Sequence, residues 1–241
     1  MASGNFNACQ AVTGKWEGGW SDHAADPGGK TMYGITIAKF REHYPNGTAA
    51  QLRAISRSTA LAIYRKDFWG PIGGENLAAG VDLAAYDASV NSGVSRGRKW
   101  LRASVGGTDV ETVKRLCAKR LGFMQSLKIW KTFGRGWSRR VADIEAKGVA
   151  WALAARTTPG VVKKALEREA DAAKKVEKKQ VGAGGVVGGG GVIAAPEAAD
   201  QLAGLALIGA AGVVVLFIVF LLWRSRINAH RAEAFAKEAE K

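Results

Sequence analysis

The sequence is poor in cysteine and lacks a recognisable secretory signal. Its two cysteines, Cys9 and Cys117, do not have CxxC spacing, which argues against a disulfide scaffold or a zinc ribbon and predicts two buried free thiols. The N-terminal sequence MASGNFNACQAV has no basic stretch followed by an apolar core. No signal peptide is therefore predicted, and neither a cofactor nor a metal site is expected.

Acidic residues are also scarce relative to basic ones. The sequence has 21 Asp and Glu residues and 35 Lys and Arg residues, which gives a formal net charge of +14. Such a balance favours an anionic partner, either nucleic acid, anionic lipid or an anionic cell-wall polymer. Because no nucleic-acid-binding motif is recognisable, a basic nucleic-acid binder tethered to a membrane is the weakest of these functional hypotheses.

Strand-like alternation is confined to TMYGITI, residues 31–37, and most other apolar residues recur at helical spacing. This pattern predicts a mainly α protein with at most a small β-hairpin. Ser58, and either Thr108 or Asp109, are candidate N-caps of helices. Gly93 is a candidate C-cap.

Charged residues are absent from one long run, LAGLALIGAAGVVVLFIVFLLW, residues 202–223. As a helix it would span about 33 Å, enough to cross a bilayer, so it is predicted to be a transmembrane helix. Lys and Arg are missing from residues 181–222, and Arg224, Arg226 and Arg231 follow. The positive-inside rule then places the tail in the cytoplasm and the folded part outside.

Composition divides the rest of the C-terminal half into segments. Residues 158–181 are charged and helix-prone, which predicts a solvated helical stalk or, as the alternative, a strip that binds anionic lipid or wall polymer. Residues 182–201 are rich in glycine and predict a flexible linker. Residues 224–241 form a charged tail.

Two carboxylates and two glycine pairs lie close together in KWEGGWSDHAADPGGKTMYGIT, residues 15–36. Helical spacing ends at Trp16, so Glu17 is expected at a helix C-terminus, where the helix dipole and neighbouring indoles favour the protonated carboxyl. Asp26 precedes Pro-Gly-Gly, and hydration in such a turn would keep it ionised. Two carboxyls in contrasting settings suit glycoside hydrolysis, although a helix end and a turn former would explain the same residues.

Several blocks of this sequence resemble one enzyme family. WEGG and DPGGKTMYGIT are similar to the signature of glycoside hydrolase family 108, the bacterial and phage muramidases, and STALAIYRKDFW and AAYDASVNSG follow in the family's order. FGRGWSRRV, residues 133–141, resembles the peptidoglycan-binding module that usually follows. The resemblance implies a lysozyme-like catalytic domain over 1–92 and a peptidoglycan-binding-like helical module over 93–157.

The family resemblance also implies an activity. The expected reaction is cleavage of the β-1,4 bond between N-acetylmuramic acid and N-acetylglucosamine, with Glu17 as general acid. Phage-type lysozymes carry an aspartate nine residues after this glutamate, which makes Asp26 the second catalytic candidate.

The evidence for substrate-binding residues is weaker than the evidence for the two catalytic candidates. Phage-type lysozymes have a threonine two residues before a Gly-Ile pair, but here that position is Met32, and Thr31 lies one place away. Thr31 and Tyr33 are therefore both candidates. Asn91 could bind a sugar or cap its helix, and the arginines of residues 133–141 suit an acidic polymer or a solvated face equally well.

Two functional hypotheses follow from the resemblance. The first is a membrane-anchored endolysin from a phage, prophage or gene-transfer particle, which degrades the cell wall in host lysis with help from a holin-type partner. The alternative is a non-catalytic wall-binding protein that keeps the fold, which Met32 would explain. Either would be a single-pass protein of the bacterial inner membrane; tail-anchored insertion would leave the enzyme in the cytoplasm, so its side of the membrane stays open.

Overall fold

The computed structural model describes residues 4–22, 29–189, 221 and 224–241. The chain forms two compact units, residues 1–158 and 159–241. The described residues are mainly helical, as predicted. In chain order the first unit has strands β1 (Thr31–Met32) and β2 (Ile35–Thr36) and helices α1 (Phe6–Thr13), α2 (Ile37–His43), α3 (Ala49–Arg53), α4 (Arg57–Tyr64), α5 (Val81–Ser92), α6 (Val94–Arg102), α7 (Asp109–Gln125) and α8 (Trp130–Ala154). Short 3₁₀ turns cover Gly14–Trp16, Gly70–Ile72 and Gly74–Asn76, and a π turn covers Arg65–Trp69.

The predicted β-hairpin is present at the expected place. Strands β1 and β2 pair antiparallel, with Thr31 opposite Thr36 and Met32 opposite Ile35. The two residues between them, Tyr33 and Gly34, have φ angles of 52° and 77°. Positive φ at both central positions is the backbone that a tight two-residue hairpin turn requires.

Helix α5 is the centre of the first unit. Every residue from Val81 to Ser89 is buried, so the helix has almost no solvent face. A helix buried all round must lie in the middle of a helical core. At its N-terminus a Cβ on Gly80 would lie 2.0 Å from the carbonyl oxygen of Gly148, so glycine lets α5 and α8 approach closely there.

The helix ends confirm some cap predictions and correct one. Thr108 caps α7 in a capping box with Glu111, and Gly93 closes α5 with φ of 87°. Ser58 was the wrong choice for α4, because the N-cap is Ser56, whose hydroxyl accepts from the Thr59 amide.

The second unit is helical where a solvated stalk was predicted. Helix α9 runs over Pro159–Gly189 and buries Leu166, Ala170 and Ala173, which lie on one face at helical spacing. It therefore continues into the range predicted as a flexible linker. Residues 224–239 are also helical, and Asn228 Nδ2 donates to Gln180 Oε1 on α9 at 3.0 Å.

The predicted transmembrane segment, residues 202–223, lies outside the described residues except for Leu221. Within the described part of the chain, no helix has the length and apolar character needed to cross a membrane.

Candidate active site

Glu17 lies where a helical segment ends. Helix α1 is continued by the 3₁₀ turn Gly14–Trp16, and the Glu17 amide donates to the Gly14 carbonyl at 3.3 Å. Gly18 then takes a positive φ of 59°, which turns the chain away from the helix. Glu17 therefore caps the C-terminal end of the helical segment, where the sequence predicted it.

Three groups surround the Glu17 carboxyl. Its Oε1 accepts from Arg140 Nη2 at 2.6 Å. A Cβ on Gly34 would lie 2.5 Å from both Glu17 Oε2 and the Tyr64 hydroxyl oxygen, so the hairpin turn packs directly against both. The Tyr64 hydroxyl donates to the Tyr33 carbonyl at 2.7 Å, which holds the turn in place. The Glu17 side chain is left only 17% exposed.

Burial raises the pKa of the Glu17 carboxyl, and this effect outweighs the opposing pull of Arg140. The direction agrees with the sequence prediction, but the cause differs. The Trp16 indole is 37% exposed and donates to Asp143 at 3.2 Å. The groups that enclose the carboxyl are instead Tyr64 and the Tyr33–Gly34 turn.

Arg140 connects Glu17 to a buried charge network. Its Nε donates to both carboxylate oxygens of Asp87 at 3.1 Å, and its Nη2 donates to Oδ1 at 2.8 Å. Arg120 Nη1 donates to Asp87 Oδ2 at 2.5 Å, and Arg120 Nη2 donates to Asn91 Oδ1 at 3.0 Å. The side chains of Asp87 and Arg120 are fully buried.

The charges of this network depend on Glu17. Full burial would raise the pKa of Asp87, but the guanidinium groups of Arg120 and Arg140 outweigh burial and hold that pKa below its usual value. Asp87 is therefore ionised and offsets one of the two cations. The network is neutral when Glu17 is ionised and carries one positive charge when Glu17 is protonated.

A cavity of about 480 Å³ is lined by Glu17. Tyr33 and Tyr64 line it, and so do two cations, Lys15 and Arg57. Among the described lining residues, Glu17 is the sole acid. A protonated carboxyl at the wall of a cavity can donate a proton to a bound molecule.

The structure brings some of the predicted site residues together. Tyr33 lines the same cavity as Glu17. The Thr31 hydroxyl donates to the Gly29 carbonyl at 3.0 Å, and Asn91 is engaged by Arg120, so a role for either in binding substrate stays a prediction. Asp26 lies outside the described residues.

Sequence reasoning missed the buried partners of Glu17. Asp87 carried a signal, because it is a charge inside the small and apolar run AAYDASV, and a buried carboxylate needs a cation. The interpretation of the arginines in residues 133–141 as a surface is wrong for Arg140, which is 5% exposed, although Arg135 and Arg139 are exposed.

Two simpler expectations concern cysteines and metals. Cys9 and Cys117 are both buried and carry thiols rather than a disulfide, as predicted. Over the described ranges, no group of three or more His, Cys, Asp or Glu side chains is placed to hold a metal ion.

Comparisons with known proteins match a family model and several solved structures. A family model described as Glycosyl hydrolase 108 matches residues 10–93. The solved structure of Brucella abortus SagA is similar to this chain, with 30% sequence identity and a TM-score of 0.59, over 65% of this chain and 99% of SagA. No curated protein matches the chain.

Proposed function

The chain belongs to the glycosyl hydrolase 108 family, which comprises peptidoglycan hydrolases, and from this premise we propose that it is an N-acetylmuramidase with Glu17 as its general acid. Family membership makes it a glycoside hydrolase with peptidoglycan as substrate. The bond that we assign is the β-1,4 bond between N-acetylmuramic acid and N-acetylglucosamine.

The observation that carries the proposal is that Glu17, whose carboxyl has a raised pKa, lines a cavity. Protonated Glu17 donates its proton to the glycosidic oxygen as the bond from that oxygen to the muramic sugar breaks. Water supplies the hydroxyl that the muramic sugar gains and the proton that restores Glu17. The carboxylate that results accepts a charge-assisted hydrogen bond from Arg140. Proton donation therefore converts a network with one excess positive charge into a neutral one, which favours the transfer.

Asp26 is proposed as the ionised second carboxylate of the reaction, nine residues after Glu17 in the chain. Tyr33 lines the cavity and is proposed to contact the glycan. Thr31 and Asn91 are retained as candidate substrate-binding residues.

Cellular context is a separate proposal. We propose that residues 202–223 anchor the protein in the bacterial inner membrane, and that the enzyme acts in host lysis when a holin-type partner gives it access to the wall. Protease treatment of intact spheroplasts tests the topology. An N-terminal tag that is protected from protease would refute placement of the enzyme outside the membrane.

The activity is tested with purified peptidoglycan and mass spectrometry of the new reducing ends. We expect muramic acid reducing ends from wild type and none from Glu17→Gln. Glu42→Gln is the matched control, because Glu42 is an exposed acid paired with Lys39 on the surface. N-acetylglucosamine ends or anhydro-muramic ends would refute the bond assignment, and unchanged activity of Glu17→Gln would refute the acid. Wall binding without cleavage would favour the non-catalytic alternative.

A further inference from the structure

Two cations, Lys15 and Arg57, line the cavity that Glu17 also lines. We propose that they form a carboxylate-binding subsite, which makes the enzyme prefer glycan strands that carry carboxylates over uncharged strands with the same β-1,4 linkage. The inference rests on the proposed function and adds a substrate preference to it.

The two cations come from different elements. Lys15 lies in the 3₁₀ turn just before Glu17, and Arg57 is the first residue of α4. The Arg57 guanidinium carbon lies 5.2 Å from the centre of the Tyr33 ring. The hydrogen bond from Tyr64 holds the backbone carbonyl of Tyr33, and the Tyr33 ring is the cation–π partner of Arg57 beside the cavity.

Neither cation is neutralised within the described part of the chain. No carboxylate there lies within ion-pair distance of Lys15 or Arg57. Glu17 supplies the acid of the cavity wall, and its Oε1 is occupied by Arg140. When Glu17 is protonated, as proton donation requires, the described wall has two positive charges and no negative one. The proposed ionised Asp26 would offset only one of these charges, so an anionic occupant is still favoured.

Carboxylate is the anion that peptidoglycan offers next to the scissile bond. It has two sources: the stem peptides, and the lactyl group of muramic acid once its peptide has been removed. Arginine binds a carboxylate through paired N–H donors, and lysine binds it as a point charge. Both sources have the same chemistry, so separate substrates must distinguish them.

The test uses the full chain and three substrates. Intact peptidoglycan carries the peptide carboxylates, amidase-treated strands carry free lactyl carboxylates, and the same strands amidated with carbodiimide and ammonia carry neither. The measured quantity is kcat/KM from released reducing ends. The variants are Arg57→Gln, Lys15→Gln and Arg57→Lys, with Arg98→Gln as control, because Arg98 is an exposed arginine of α6 outside the cavity lining.

We expect Arg57→Gln to lower kcat/KM roughly tenfold on carboxylate-bearing strands, the loss of one charge-assisted contact, and to change it little on amidated strands. Lys15→Gln should act in the same direction, and Arg57→Lys should recover part of the loss. A loss limited to intact wall assigns the subsite to stem peptides, and a loss on amidase-treated strands assigns it to the lactyl group. Either supports the inference.

The carboxylate-binding subsite would be refuted if Arg57→Gln and Lys15→Gln lowered kcat/KM equally on all three substrates, or by no more than Arg98→Gln does. Either result would leave the proposed function intact. A wild-type enzyme that releases no muramic acid ends from any substrate would instead refute the proposed function itself. Thermal unfolding of each variant shows whether a loss of activity comes from misfolding.

Discussion

Removal of the Arg140 guanidinium tests the charge network behind Glu17. Arg140→Met keeps most of the side-chain volume and removes the charge, so fully buried Asp87 keeps only its contact with Arg120. Removal of one partner from a buried ion pair costs about 3–5 kcal/mol. Because Arg120 remains, we expect the lower end, about 3 kcal/mol, which lowers Tm by roughly 6–12 °C in a unit of this size.

The same variant should change the pH dependence of activity. Arg140 favours the ionised form of Glu17, so its removal raises the pKa of Glu17 further. Because the acid must be protonated to act, activity is lost as pH rises through this pKa, and the alkaline limb of kcat/KM moves to higher pH. The activity itself should fall, since the carboxylate formed by proton transfer loses its hydrogen bond.

Asp87→Asn should shift the alkaline limb of kcat/KM in the opposite direction. The negative charge of Asp87 raises the pKa of Glu17, so its removal lowers that pKa and moves the alkaline limb to lower pH. Both variants are destabilised, but a general loss of stability would not move the two limbs in opposite directions.

The assay is kcat/KM against pH by reducing-end release, together with thermal unfolding by circular dichroism. Arg139→Met is the matched control, because it removes the adjacent but exposed arginine of the same helix. The reasoning would be refuted if Arg140→Met and Asp87→Asn moved the limb in the same direction, or if Arg140→Met left Tm at the value of the Arg139→Met control.

Three further predictions follow from the site and the core. Gly34→Ala forces a side chain into a positive-φ position against the Glu17 carboxyl and should cost about 1–3 kcal/mol and most activity, whereas Gly19→Ala, in open space, should change the thermal melt and the rate little. The free energy of unfolding of Glu17→Gln should rise relative to that of wild type as pH rises, because a raised pKa in the folded state means that ionisation of Glu17 destabilises the native state. The range to measure is pH 4 to 8, which begins near the ordinary glutamate pKa of about 4.3. A difference in unfolding free energy that stays constant over this range would contradict the prediction. Cys9 and Cys117 should resist thiol reagents until the protein unfolds, because both are buried, and rapid labelling of the native protein would disprove it.

Features set by neighbouring residues were predictable from the sequence. The small hairpin follows from the β-branched and aromatic residues of 31–37, although its strands cover only Thr31–Met32 and Ile35–Thr36 and Ile37 begins α2. Thr108 follows from capping chemistry. The position of Glu17 followed from helical spacing that stops at Trp16. Each of these depends on contacts within a few residues, which a single sequence displays.

Features set by distant residues were not predictable. Arg140 contacts Asp87 across 53 positions and Glu17 across 123, and no local pattern distinguishes it from exposed Arg139 beside it. The buried face of α9 was not predicted, for a related reason. Its buried face has a leucine and two alanines, a stripe too weakly apolar to separate a packed helix from a solvated one.

The family match and the chemistry of the site do not cover the same stretch of chain. Residues 10–93 contain Glu17 and Asp87, but Arg120 and Arg140 belong to α7 and α8, which lie beyond that stretch. A chain limited to residues 1–92 would leave Asp87 without either cation and Glu17 without the partner that stabilises its carboxylate. The helices after residue 93, whatever they bind, therefore complete the electrostatic setting of the acid, and the unit that can perform the proposed chemistry extends to residue 158.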